Sequence, residues 1–296
     1  MTYQLENLIK REISLANQTS YRVGGNAQWY AAPRNQEQLE ACFEWHQKQD
    51  LPLTMLGAGS NLLISDRGIP GFTISTRYFR DYQFDEETGL LESNAGEPIA
   101  KLAWKAAKRG LKGLEWAVGI PGTVGGAVVM NAGAHASALS DLLVSATVLS
   151  PDGTVEELTA EELEFSYRTS KLQGSDKFVV RAVLQLQPGY TKQEIMELAS
   201  KNWTQRKTTQ PYHLPSCGSV FRNPYPQAAG RLIEQLGLKG HKIGDAQISE
   251  RHANFILNCG SARANDIFQL IRYIQEKVEY HWSVSLEPEV KLIGEF

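Results

Sequence analysis

The sequence is poor in cysteine and has no surplus of basic residues. It holds three cysteines among 296 residues, Cys42, Cys217 and Cys259, and their spacings are unrelated. An odd number at such spacings argues against a disulfide framework and against a zinc site, so we expect no bound metal. Lys and Arg number 30 against 33 Asp and Glu. The chain therefore lacks the basic excess of nucleic-acid-binding proteins, and we expect no nucleic-acid partner.

No segment has the composition of a membrane span. The stretch between Trp116 and Ser140 carries no Asp, Glu, Lys or Arg, but it contains Pro121, Asn131, His135 and several glycines. Few helices tolerate such a composition. The N-terminal segment carries charged residues and lacks the apolar core of a signal peptide. We therefore expect a cytoplasmic protein that does not bind membranes.

Two glycine-rich segments are the most informative features that are present. The first is Leu56-Gly57-Ala58-Gly59-Ser60-Asn61, and the second runs Gly119-Ile120-Pro121-Gly122-Thr123-Val124-Gly125-Gly126. Backbone N–H groups bind an anion best where glycine permits close approach and no carboxylate lies nearby. Two such loops together can hold the phosphates and the sugar of one dinucleotide.

The first segment begins like the fingerprint of nicotinamide-binding Rossmann domains and then departs from it. Leu62 occupies the position of the third glycine, and residues 62–65 predict a strand where the fingerprint requires a helix. We interpret the segment as strand, tight loop, strand. Taken alone it is equally compatible with an ordinary glycine hairpin, an alternative that the second segment weakens.

Hairpins and helices are mixed along the chain, which predicts an α+β fold. Strands are predicted at 26–32, 53–56, 62–65, 72–76, 143–149, 154–158, 178–186, 243–248 and 255–257, with hairpins across 81–94 and 143–158. Helices are predicted at 35–49, 98–110, 127–132, 192–208, 227–236 and 264–281. In the last helix, the apolar residues fall on one face, which indicates core packing.

Several further motifs stand in a specific order. They are Thr19-Ser20-Tyr21-Arg22-Val23-Gly24-Gly25, Tyr167-Arg168-Thr169-Ser170, Gly218-Ser219-Val220-Phe221-Arg222-Asn223-Pro224 and Glu287-Pro288-Glu289-Val290. Together with both glycine segments, they resemble the UDP-N-acetylenolpyruvoylglucosamine reductase (UDP-N-acetylmuramate dehydrogenase) family, in its compact subtype. The small departures are Trp116 and His135-Ala136, at the edge of the second glycine segment.

The resemblance implies a two-lobed FAD-binding domain of the vanillyl-alcohol-oxidase/PCMH type, followed by an α+β substrate-binding domain. We expect the lobes at 1–70 and 71–202 and the substrate domain at 203–296. The implied reaction is the NADPH-dependent reduction of UDP-N-acetylglucosamine enolpyruvate to UDP-N-acetylmuramate, in peptidoglycan precursor synthesis. The implied cofactor is non-covalent FAD, with NADPH as co-substrate, and we expect a monomer.

The resemblance also assigns roles to individual residues. Arg168, Ser219 and Glu289 are implied in the active site, with Ser219 as proton donor. Substrate-binding roles are implied for Tyr167, Lys207, Arg222 and Asn223. The implied flavin contacts are Leu56, Gly57, Ala58, Gly59, Ser60, Asn61, Gly119, Pro121, Gly122, Thr123, Val124, Gly125 and Gly126.

Each of these side chains also has an ordinary structural explanation. A Tyr-Arg pair usually packs, a serine in a glycine turn usually caps backbone groups, and a carboxylate at a strand end is usually solvated. Only their joint occurrence with the two loops favours catalysis. Two other functions stay open: a flavin oxidase of sugars or alcohols with His135 as a covalent attachment point, and a non-catalytic sensor of flavin or nucleotide sugars.

Overall fold

A computed structural model describes residues 7–296 of the chain. The strands are β1 (Ile9–Ser14), β2 (Asn26–Ala31), β3 (Leu53–Leu56), β4 (Leu62–Ile64), β5 (Ile69–Ser75), β6 (Tyr82–Phe84), β7 (Leu90–Asn94), β8 (Gly133–Ala134), β9 (Ser137–Ala138), β10 (Leu143–Leu149), β11 (Val155–Thr159), β12 (Phe178–Gln185), β13 (Lys242–Ile243), β14 (Ala246–Ile248), β15 (Ile256–Asn258) and β16 (Lys291–Ile293). The helices are α1 (Gln36–His46), α2 (Ile99–Ala107), α3 (Val124–Met130), α4 (Lys192–Thr209), α5 (Ala229–Gln235) and α6 (Ala264–Trp282). This mixture of helices and strands confirms the predicted α+β class.

The chain divides into two compact units. The first contains Trp29–Ala58 and Gly71–Arg206, together with residues 7–10. The second contains Arg11–Gln28, Gly59–Pro70 and Lys207–Phe296. The chain therefore passes from the first unit to the second inside the first glycine loop. The predicted domain bounds, 1–70, 71–202 and 203–296, stay a prediction.

A five-stranded antiparallel sheet of order β11-β10-β12-β7-β6 forms the centre of the first unit. The two predicted hairpins are present as pairs, with Tyr82 opposite Ser93 and Ser145 opposite Thr159. The buried faces of α2 and α3 belong to the same apolar core as this sheet. A smaller core surrounds α1, and here β3 pairs with β5 in parallel.

The second unit has its own core, built on α6. The predicted apolar stripe of this helix is buried, as Ile267, Leu270, Ile271, Ile274 and Val278. The sheet β13-β14-β15 and the parallel pair β4-β16 complete this unit. The carboxylate of Asp66 accepts the N–H groups of Ala264 and Asn265 at 2.9 and 3.0 Å, which satisfies the first turn of α6.

Three features differ from the sequence prediction or add to it. The strands that flank the first glycine loop join different partners, since β3 pairs with β5 and β4 with β16. Helix α3 begins at Val124 rather than at residue 127, because Thr123 caps it and accepts the N–H of Gly126. Strands β1, β8, β9 and β16 were not predicted, because they are very short or lack a clear alternation of apolar residues.

Helices of membrane-crossing length and apolarity are absent from the described part of the chain. Residues 7–296 also contain no cluster of three or more His, Cys, Asp or Glu side chains arranged to hold a metal ion. Cys42 and Cys217 are buried, and burial raises the pKa of each thiol to about 12. Cys259 is partly exposed, with its Sγ 3.3 Å from Oε1 of Gln247.

We expect a single reactive thiol in the folded protein. At pH 8, a thiol with a pKa near 12 is ionised to only about one part in 10⁴, and the thiolate is the nucleophile. Titration with a chromogenic disulfide reagent should modify Cys259 alone, and guanidinium should release the other two thiols. The variant Cys259→Ser should abolish the native reaction. Rapid modification of a second thiol in this variant would contradict the assigned burial.

Candidate functional site

The two glycine-rich loops meet within the first unit. A Cβ atom on Gly57 would lie 2.6 Å from Oγ1 of Thr123, closer than a real side chain can approach. Glycine is therefore required where the first loop lies against the second. Leu56, Gly57 and Ala58 belong to this unit, as does the whole second loop.

The carbonyl groups of the first loop are turned into the protein. Oγ1 of Thr76 donates to the Leu56 carbonyl at 3.2 Å, and Nη2 of Arg77 donates to the Ala58 carbonyl at 3.1 Å. Residues 7–296 supply no acceptor for the backbone N–H groups of Gly57 and Ala58. Unpaired donors on a glycine loop fit a diphosphate, so this loop suits FAD.

Part of the second loop uses its N–H groups for packing. Val124 donates to the Glu97 carbonyl and Gly125 to the Ala95 carbonyl, both at 2.9 Å. A Cβ on Gly125 would lie 2.8 Å from the Cβ of Ala95. Gly125 is therefore needed for close packing, and a flavin contact by either residue would have to use other atoms than its N–H.

The remainder of the second loop keeps donors available. Gly122 has φ +124°, and the described residues offer no acceptor to the N–H groups of Gly122 and Thr123. A Cβ on Gly119 would lie 2.9 Å from Nε of Arg206, so α4 packs against the start of the loop. The loop thus offers an anion at least two free N–H groups within the first unit.

Gly59, Ser60 and Asn61 belong to the second unit. Gly59 has φ +64°, and a Cβ there would lie 2.2 Å from the carbonyl oxygen of Gln18. The Asn61 side chain donates to the Glu289 carbonyl at 3.0 Å, and the Asn61 carbonyl accepts the N–H of Lys291 at the same distance. Asn61 therefore ties the glycine loop to the segment that carries Glu289.

Ser219 and Glu289 lie on two paired extended segments of the second unit. Glu289 donates its N–H to the Val220 carbonyl at 2.7 Å, and Arg222 donates its N–H to the Glu287 carbonyl at 2.9 Å. These hydrogen bonds fix the register between the two segments. The candidate proton donor and the candidate carboxylate are thus set by one short backbone ladder.

Two further side chains hold the Ser219 segment in place. Asn254 accepts the N–H of Phe221 at 3.0 Å and donates to the Phe221 carbonyl at 2.8 Å. The Cys217 thiol donates to the Leu62 carbonyl at 3.3 Å. Both Asn254 and Cys217 are buried, so the backbone on either side of Ser219 is fixed by buried hydrogen bonds.

Arg168 is fixed within the first unit in an uncommon conformation. Its φ is +57°, in the left-handed region, and its carbonyl accepts from Nε2 of Gln173 at 2.8 Å. Its Nη2 donates to the Gly133 carbonyl at 2.7 Å, and its guanidinium carbon lies 5.1 Å from the ring centre of Tyr167. The guanidinium is therefore anchored beside the segment that follows α3.

The residues assigned to substrate binding differ in their surroundings. Lys207 is exposed near the end of α4. Arg222 is largely buried, and its Nη1 lies 3.2 Å from the Glu287 carboxylate. Asn223 accepts the N–H of Ala229 at 3.1 Å and so helps to begin α5. Arg222 and Asn223 thus have structural partners in addition to any contact with substrate.

The assigned residues are divided between the two units. Arg168, Tyr167 and the second glycine loop lie in the first unit, whereas Ser219 and Glu289 lie in the second. The substrate-binding candidates Lys207, Arg222 and Asn223 also belong to the second unit. The roles of all these residues stay predictions.

Sequence reasoning missed Arg77 and Arg206. Neither arginine lies in a recognisable motif, so nothing local in the sequence marks either one. Burial and then the positive charge of Arg206 lower the pKa of His135, which favours its neutral imidazole. His135 and Ala136 have φ +54° and +61° at the turn between β8 and β9. That geometry matches a tight hairpin turn of type I′.

Comparison with known proteins identifies two family domains in the chain. Residues 27–159 match an FAD binding domain, and residues 210–293 match the C-terminal domain of UDP-N-acetylenolpyruvoylglucosamine reductase. The chain is 61% identical over 291 residues to the UDP-N-acetylenolpyruvoylglucosamine reductase of Synechocystis sp., covering 98% of this chain and 92% of that protein. It is 60% identical to the same enzyme of Trichormus variabilis, covering 97% of this chain and 87% of that protein.

A solved structure agrees with these relatives. The crystal structure of UDP-N-acetylenolpyruvylglucosamine reductase from Thermus caldophilus matches this fold with a TM-score of 0.83 at 37% sequence identity. The match covers 97% of this chain and 99% of that one. The predicted succession of an FAD-binding domain and a C-terminal reductase domain is therefore confirmed.

Alanine substitutions at Gly125 and Gly126 test whether Gly125 is needed for packing. We expect Gly125→Ala to lower the free energy of unfolding by about 1–3 kcal/mol, because the new methyl overlaps Ala95. Gly126→Ala is the matched control within α3, where a Cβ lies 3.7 Å from Thr123 Oγ1. It should be neutral or stabilise by up to about 1 kcal/mol through helix propensity. Urea unfolding of the flavin-free chain measures the free energy of unfolding of both variants. Equal changes in the two variants would refute the packing role of Gly125.

Proposed function

The chain belongs to the UDP-N-acetylenolpyruvoylglucosamine reductase family, and on this basis we propose that it reduces UDP-N-acetylglucosamine enolpyruvate to UDP-N-acetylmuramate with NADPH. It is an FAD-containing oxidoreductase of peptidoglycan precursor synthesis. The observation that carries the proposal is the pairing of both family domains with free N–H donors on two glycine loops. Family membership argues against the oxidase and sensor alternatives.

The flavin would be held by the two glycine loops. Backbone N–H groups without an acceptor, among them those of Gly57, Ala58, Gly122 and Thr123, are suited to its diphosphate. The bound cofactor would supply the hydride chemistry, from NADPH to the enolpyruvyl double bond. The protein contributes the binding, the orientation of the substrate and the charges around the reacting carbons.

Arg168 is proposed to bind the carboxylate of the enolpyruvyl group. Addition of hydride to the terminal carbon places negative charge on the adjacent carbon and its carboxylate, as in an enolate. A guanidinium offers this group a permanent charge in a planar fork. The hydrogen bond of Arg168 to the Gly133 carbonyl supports this role, because it fixes the side chain before substrate binds.

Ser219 is proposed to deliver the proton at that carbon. A hydroxyl is a weak acid in water, but the enolate-like intermediate is a strong base, so a hydroxyl held at the correct face can donate. Glu289 is proposed to stabilise the developing acid group or to orient a water molecule. The backbone ladder between the Ser219 and Glu289 segments supports a joint role.

The remaining contacts are proposed from charge and position. Tyr167, Lys207, Arg222 and Asn223 would bind the substrate, whose UDP moiety carries two phosphates that a cation can pair with. Because NADPH and the nucleotide sugar are both water-soluble metabolites, we propose that the enzyme works in the cytoplasm. We also propose that it is a monomer.

Flavin spectra test the function directly. The purified protein should be yellow, with one FAD per chain that acid releases into solution. NADPH should bleach the flavin absorbance, and UDP-N-acetylglucosamine enolpyruvate should restore it without oxygen. A protein that takes up no FAD, or a bleached protein that this substrate leaves unchanged, would refute the proposal. Flavin that stays with the acid precipitate would instead support a covalent oxidase.

Ser219→Ala tests the proton donor. Bleaching by NADPH should be near normal in this variant, while reoxidation by saturating substrate should slow by about 10²–10⁴, the usual contribution of a general acid. Ser219→Cys should retain part of the rate, because a thiol can donate.

A purely structural serine would give another pattern. Both substitutions would then lower the melting temperature and weaken substrate binding, with a normal rate at saturation. A normal saturated reoxidation rate in Ser219→Ala would exclude the proton-donor role.

A further inference from the structure

The loop that follows β5 lies beside the first glycine loop. Strands β3 and β5 are parallel neighbours, with Leu56 opposite Ser75 at the last pair of the register. The chain therefore leaves both strands at the same edge of the sheet, into residues 57–59 and 76–80. Ligands of open α/β sheets bind at such carboxyl edges of parallel strands. The second of these segments carries no motif that would mark it as a binding element.

Two consecutive residues of this segment orient the glycine loop. Thr76 holds the Leu56 carbonyl at 3.2 Å, and Arg77 holds the Ala58 carbonyl at 3.1 Å. In a planar trans peptide, the C=O and the following N–H point in opposite directions. Holding these two carbonyls therefore turns the N–H groups of Gly57 and Gly59 away from the 76–80 segment. Neither N–H finds an acceptor among the described residues.

The same segment concentrates positive charge. Guanidinium carbons of Arg34 and Arg80 lie 5.2 and 5.9 Å from the ring centre of Tyr78. Nε of Arg80 donates to the Arg77 carbonyl at 2.7 Å. No carboxylate of residues 7–296 forms an ion pair with Arg34 or Arg80. The charges of Arg34 and Arg80 favour an anion nearby.

We infer that Arg77 is a positioning residue for the diphosphate of the bound dinucleotide. Its guanidinium fixes the Ala58–Gly59 peptide with the N–H outward, and it adds charge behind the anion-binding loop. Methionine would fill similar space but leave the Ala58 carbonyl without its donor, so the peptide could rotate. This inference rests on the proposed flavin function.

Binding of two flavins to the full-length, flavin-stripped chain tests the inference. FAD carries the diphosphate and riboflavin lacks it, and quenching of flavin fluorescence reports both dissociation constants. Arg77→Met should raise the Kd for FAD roughly 10- to 100-fold, the range expected for one hydrogen bond from a charged donor. The Kd for riboflavin should stay unchanged. Arg77→Lys should fall between wild type and Arg77→Met, since it keeps charge but loses the fork.

Arg34→Met is the matched control for charge. It removes the same charge from the same cluster without touching the glycine loop, so it should change the Kd for FAD less than threefold, with a loss that salt abolishes. Melting temperatures of the stripped variants show whether each one is folded. If Arg77→Met does not fold, the Kd for FAD of Arg77→Lys is compared with that of the wild type. A higher Kd in Arg77→Lys then supports the role of Arg77, and an unchanged Kd overturns it.

The possible outcomes separate this inference from the function on which it rests. A wild-type chain that does not bind FAD would overturn the proposed function. Wild-type binding of FAD with an unchanged Kd in Arg77→Met would overturn only the role of Arg77. Equal weakening of FAD and riboflavin binding would also overturn it. Riboflavin has no diphosphate, so an equal loss would mean that the substitution destabilises the flavin site in general.

Discussion

The contact between Gly57 and Thr123 is the constraint on which the site of the first unit depends. With a Cβ at residue 57 only 2.6 Å from the threonine hydroxyl, no other amino acid lets the two loops approach this closely. Thr123 is also the N-cap of α3. The hydroxyl that contacts Gly57 therefore also fixes the start of the helix. A dinucleotide has its phosphates and sugar close together, and a binding site for it needs both loops at contact distance.

The first glycine loop shows how a backbone becomes an anion site. Every buried peptide group needs partners for both its C=O and its N–H, so free donors toward a ligand require that the carbonyls be satisfied elsewhere. Thr76 and Arg77 supply those donors for Leu56 and Ala58, and the N–H of Ser20 does so for Gly59. The glycines permit the conformation, but residues remote in sequence select it.

The difference between local preferences and contacts from remote residues explains what could be predicted from the sequence. Strongly periodic segments such as α6, and hairpins with turn residues such as that between β10 and β11, follow from local preference and were found. The glycine loops were found because their composition is itself the signal. The contact of Arg77 could not be predicted because it joins a loop nineteen residues earlier, and the packing of Gly125 against Ala95 could not be predicted either. Such pairings exist only in the folded chain.

Asn61 links the end of the first glycine loop to the Glu289 segment within the second unit. Its side chain holds the Glu289 carbonyl and its own carbonyl holds the N–H of Lys291, so the end of the glycine loop and the Glu289 segment share two hydrogen bonds. The Glu289 segment in turn pairs with Val220, next to Ser219. A displacement of Asn61 would therefore strain the backbone of both segments. Within the second unit, one continuous chain of hydrogen bonds thus connects Asn61, the Glu289 segment and the Ser219 segment.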